Sequence, residues 1–174
     1  MALDELVAAA CKSDHAAHKK LLSLFSRAAA GKENGSPKEI TTAALQCLKA
    51  AQTNLASHSS RPDWVLQNAS LGQASLAALE AQAVGAARWQ LLPLRYNFVK
   101  RLVTAGGHDA AWQEAHLLHN QLDSCDAPQT AEAANIAVGA VLMLLLCCLE
   151  APGLASTKLK ASLRAVLVFN HWLG

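Results

Sequence analysis

The chain has 174 residues with 15 Lys and Arg against 13 Asp and Glu, a formal net charge of +2, and 52% hydrophobic residues. A balance this even, with the basic residues scattered, excludes the dense cationic face on which nucleic-acid binding depends. Ala (36) and Leu (29) dominate while Val and Ile together number 11, which excludes a substantial β-sheet and predicts one all-α domain over 1–174 with a continuous core.

About eight helices are predicted in chain order. Leu3 to Cys11 is a short first helix. Ser13 or Asp14 can cap a second, in which His18, Leu21, Leu22, Phe25 and Ala29 share a face that ends at Gly31. Residues 31–36 form a loop, and Ser36, Pro37 and Glu39 then supply an N-cap, a first-turn proline and an acid at the third position, the pattern of a capping box. Ile40, Ala44, Leu48, Ala51 and Leu55 make the stripe that follows, broken at 57–62. From Asp63, the series Val65, Ala69, Gly72, Leu76, Leu79 and Ala83 keeps helical spacing up to a stop at Gly85. Trp89 to Ala105, His108 to Leu122, Thr130 to Glu150 and Thr157 to Trp172 complete the set, with Pro93 in the first turn of its helix or kinking it.

The segment 94–122 carries the most information. Phe98, Leu102 and Ala105 fall on one helical face and Ala111, Ala115, Leu118 and Leu122 on the next, so each stripe needs a neighbour to cover it. Gly106 can take the left-handed conformation that ends a helix, while Ala111 and Ala115 let two backbones approach closely. The unit resembles a tetratricopeptide-like repeat: Asn97 and Phe98 stand at the Asn-Leu pair, Gly106 at the turn glycine and Ala111 at the first alanine of the second helix. His108 stands where that pattern has a turn aromatic, Ala115 where it has a large residue, and no proline closes the unit. The reading is a set of antiparallel helical hairpins stacked as a superhelix, packed through Asn97, Phe98, Leu102, Gly106, Ala111, Ala115 and Leu118. Arg95, Tyr96 and Lys100 are the candidate partner-binding residues, and the plainer role for Arg95 and Tyr96 is to solvate and wedge the hairpin.

Residues 136–149 run for 14 positions without a polar side chain, shorter than the roughly 20 a bilayer span needs. The expectation is a central helix covered on all sides and touching both neighbouring repeats. Chemistry is sparse. His15 with His18, and His116 with His119, could each offer two imidazoles at helical spacing, but neither pair carries the Glu of a zinc-protease helix, so surface or half-buried histidine is expected. The cysteines at 11, 47, 125, 147 and 148 form no Cys-x-x-Cys pair and read as free thiols of a reducing compartment, and Cys125 has no protease signature around it. No catalytic, cofactor-binding or metal residue is assigned. The first ten residues carry Asp4 and Glu5 where a secretory signal carries positive charge, so cytoplasm or nucleus is expected.

The order of elements, from a short Asp-Glu-Leu helix through Leu24-Phe25-Ser26-Arg27 and the long capped helix to the run 94–103 and then 106–115, is similar to the N-terminal helical region of separase, in the version found in plants and green algae. It covers residues 1–122. The resemblance implies a non-catalytic, regulatory and substrate-positioning part of a cysteine endopeptidase that acts in chromosome segregation by cleaving cohesin and is inhibited by securin. A securin-like protein or peptide partner is implied with it. The alternative reading is a small helical bundle with an apolar ligand pocket, or a membrane-attached helix, at 136–149. Leu163, Val166, Leu167, Phe169, Trp172 and Leu173 put apolar bulk on more than one face of the last helix, so further repeats of a larger protein, or self-association through that helix, are expected to cover it.

Overall fold

The computed structural model describes residues 3–12, 14–32, 36–57, 62–122 and 130–150. All regular structure among them is helical: α1 (Leu3–Cys11), α2 (His15–Ala29), α3 (Pro37–Ser57), α4 (Pro62–Gln82), a short 3-10 turn (Gly85–Arg88), α5 (Leu91–Thr104), α6 (His108–Leu122) and α7 (Ala131–Glu150). The expected helix at 157–172, and the covering of its apolar faces, lie outside the described residues. The chain divides into two compact units, Met1–Leu91 and Leu92–Gly174.

Helix limits follow local chemistry. The Asp14 carboxylate accepts the Ala17 N–H at 2.9 Å and fixes the start of α2. At its end Gly31, at φ +67°, donates to Ala28 while Lys32 donates to Arg27, a paired closure that uses the last free carbonyls. α3 starts at Pro37, whose fixed φ suits a first turn and whose missing N–H costs nothing there. Thr130 Oγ1 accepts the Ala133 N–H at 3.1 Å to start α7. α5 differs from the expectation: it begins at Leu91 rather than Trp89, because the 3-10 turn that opens at Gly85 (φ +57°) occupies the preceding residues. Pro93 is thus in the first turn and breaks no interior bond.

In the first unit α1 pairs with α2 and α3 with α4, while α1 also lies against α3 and α2 against α4. Ile40, Ala44, Leu48, Ala51 and Leu55 of α3 are buried, as are Leu21 and Phe25 of α2 and Val65, Ala69, Leu76 and Leu79 of α4. The α2 stripe closes on Ala28, with Ala29 exposed. A ring of neutral hydrogen bonds ties α3 to α4. Asn54 Nδ2 donates to Asn68 Oδ1 at 3.0 Å, Asn68 Nδ2 donates to the Trp64 carbonyl at 2.9 Å, and Trp64 Nε1 donates back to the Asn54 carbonyl at 3.5 Å. In the second unit α6 packs on α7, and α5 reaches both through single side chains described below.

Candidate interaction surface

The α5–α6 turn closes as a paired backbone motif. Gly106 sits at φ +80° and donates to the Val103 carbonyl at 3.0 Å, while Gly107 donates to Leu102 at 2.8 Å. A side chain at Gly106 would strain that left-handed backbone. From this turn, Phe98 and Leu102 of α5 and Ala111, Ala115 and Leu118 of α6 are buried to within 0% exposure. Asn97 is exposed, and Val99 is buried instead. Asn97 therefore has no packing role, because α5 presents positions 95, 98, 99 and 102 to the interior and position 97 lies off that face.

Arg95, in contrast, is not on a surface. Its side chain is 4% exposed, and its Nε lies 3.0 Å from Oε2 of Glu114, which is 4% exposed too. The N–H is not aimed along that line, so this atom pair is held by charge rather than by an aligned hydrogen bond. A guanidinium can be buried where a carboxylate meets it; Glu114, one turn after Ala111 on α6, provides that carboxylate. No local pattern in the sequence pairs positions 95 and 114. A Glu on an otherwise apolar stretch of a helical stripe was the available signal.

Tyr96 is half-buried and Lys100 exposed, and the Lys100 ammonium lies 5.4 Å from the Tyr96 ring centroid, a cation–π geometry. The same tyrosine lies against α7: a Cβ built on Gly139 would run into the Tyr96 ring. Gly139 is thus the place where α7 lets α5 approach. Of the three candidate partner-binding residues, Lys100 is solvent-facing, Tyr96 is shared between a surface cation and an interior contact, and Arg95 is interior.

α7 is not covered on all sides by the described residues. Ile136, Ala137, Ala140, Leu144 and Cys147 are buried, but Val138, Leu142, Leu146 and Leu149 are 38%, 54%, 39% and 81% exposed. Its mean hydropathy of 2.1 and its 20 residues are sufficient in length and composition to cross a membrane, with 44% of the stretch buried. The uniform composition hid a two-sided helix, since among the described residues only the faces toward α6 and toward Tyr96 of α5 have partners to pack against.

His18 and His119 are buried, at 7% and 8% exposure, rather than at the surface, whereas His15 is exposed and His116 half-buried. His116 stacks on Trp112 with ring centroids 5.1 Å apart. No group of three or more His, Cys, Asp or Glu able to hold a metal occurs among the described residues. Cys47 and Cys147 are buried thiols and Cys148 is a half-buried one, none of them in a disulfide; Cys125 lies outside the described residues. Burial, and then the neighbouring Cys148, push the Cys147 thiol up to about 11, so it is a poor nucleophile. The chain matches no family model, and no curated protein and no solved structure matches it.

Proposed function

We propose that the chain is a non-catalytic protein-interaction scaffold built from stacked helical hairpins of the tetratricopeptide-like kind. The observation that carries this reading is the neighbour pattern of the first unit: α1 lies on α3 and α2 on α4, as successive hairpins do when they stack with like helices adjacent. The glycine-closed α5–α6 turn, with Ala111 and Ala115 buried on α6, supports it in the second unit. The partner is a protein or peptide held beside Lys100 and Tyr96, and exposed Asn97 and Arg101 border that point on α5. By the resemblance of residues 1–122, the chain is the regulatory, substrate-positioning region of a separase, its partner is securin-like, and its place is the cytoplasm or nucleus.

The test is binding of a fluorescent green-algal securin to the full chain and to Lys100→Glu. Saturable binding weakened about tenfold by the reversal, on the order of one well-placed charge contact, is expected. Binding unchanged by Lys100→Glu removes the assigned surface. No binding to securin, together with proximity labelling in cells that recovers no common protein partner, removes the function.

A second reading rests on the exposed apolar stripe of α7: a membrane-attached or ligand-holding helical bundle. Fractionation separates the two, since attachment through α7 leaves the chain in the pellet until detergent is added.

A further inference from the structure

α2 meets α4 across a buried histidine. His18 is 7% exposed, and its Nε2 lies 3.4 Å from Ser70 Oγ on α4. Ser70 donates its own hydroxyl proton to the Gln67 carbonyl at 2.9 Å, so toward His18 its oxygen can only accept. The neutral ring therefore carries its proton on Nε2, and a second proton would go to Nδ1. That tautomer is fixed by the neighbouring helix rather than by α2 itself.

We propose that the α2–α4 seam is an acid-sensitive latch, in which a second proton on His18 loosens α2 from α4 and uncovers the buried side chains of Leu21 and Phe25. Among the described residues no carboxylate is bonded to the His18 ring, whose side-chain partner is the Ser70 hydroxyl. On α2 itself stand His15, Lys19, Lys20 and Arg27, all basic, and the one adjacent acid, Asp14, is held at the N-cap, where its Oδ1 accepts the Ala17 N–H at 2.9 Å. On the elements packed against α2, the ionisable groups are Asp4 and Glu5 in the first turn of α1, Asp63 and Glu80 in the first and last turns of α4, and Lys38, Glu39 and Lys49 on α3. Of these charges it is His15 that bears on His18, and it opposes protonation.

Burial first, and the His15 charge second, hold His18 below its ordinary value of 6.5. Above that value the closed and opened seams are both neutral and the latch has its full strength. As the pH falls below it, the opened form takes a proton that the closed form refuses, and closure weakens until the folded value is reached. One proton changes the opening equilibrium by at most about tenfold per pH unit. The response is thus a graded local opening of α2 rather than loss of the fold.

The experiment is hydrogen exchange of the full chain at pH 7.5 and pH 5.5, corrected for the intrinsic pH dependence of exchange, with His18→Gln as the variant. Gln keeps an N–H donor for Ser70 and cannot titrate. In the native chain the opening of amides 18–28 rises roughly two- to tenfold at the lower pH, while in His18→Gln it stays flat. An equal rise in the variant overturns the latch. If His18→Gln fails to fold, proton NMR titration of the native histidines decides, and a His18 that titrates at or above exposed His15 overturns it as well.

Discussion

In Met1–Leu91 the buried polar side chains are neutral or uncharged as packed: Asn68 in its ring with Asn54 and Trp64, Ser75 donating to the Leu71 carbonyl at 2.7 Å, and His18 against Ser70. In Leu92–Gly174 the corresponding interior holds a full ion pair, Arg95 with Glu114, and one approach that only a glycine permits, at Gly139. The difference bears on what each unit depends on. A neutral hydrogen bond contributes about 1 kcal/mol net, and its loss leaves a modest penalty. A buried ion pair contributes little by itself, but removal of one partner leaves the other charge out of water without that counter-charge. The first unit is therefore built to tolerate single losses, and the second to fail sharply at one of two points.

The largest expected effect follows from that. Glu114→Ala should destabilise the second unit by about 3–5 kcal/mol in chemical denaturation, whereas Arg95→Met with Glu114→Leu together should return most of it. A double variant no better than the single one would mean that the pair is not the source of the sensitivity. Gly139→Ala comes next, at about 1–3 kcal/mol for overpacking against Tyr96, partly offset by the better helix propensity of alanine. Ala111→Leu should cost a similar amount, about 1–3 kcal/mol, because Ala111 is 0% exposed within the unit. Melting temperatures unchanged in both would show an interior looser than the geometry requires. Gly106→Ala should cost about 1 kcal/mol through its positive φ alone, with Gly107→Ala as the milder control. Smallest is Asn54→Ala in the first unit, at about 0.5–1.5 kcal/mol. If Asn54→Ala proved as damaging as Glu114→Ala, the contrast between neutral and charged interiors would collapse.

Helix positions were largely legible because they depend on contacts within a few residues. Asp14, Pro37, Gly31 and Gly106 act on their own turn, and the 3.6-residue stripes of α3 and α4 identify their buried faces without reference to any partner. The start of α5 was less legible, since Trp89 and Gln90 continue the turn that the 3-10 segment Gly85–Arg88 opens, and helix begins only at Leu91. At the candidate surface Lys100 is exposed, whereas Arg95 is buried and Asn97 lies off the packed face. An arginine has the same local signature whether water or a carboxylate on another helix receives it.

The sequence by itself determined that the chain is helical and where its helices stop, because propensity, capping and glycine closure are short-range effects. Tertiary structure alone decided which face of α7 is covered, which charge accompanies Arg95 into the interior, why position 139 is glycine, and which tautomer His18 adopts. Each of these is set by an atom on a different helix, from 19 positions away for Glu114 to 52 for Ser70, and no local pattern encodes a partner at that distance.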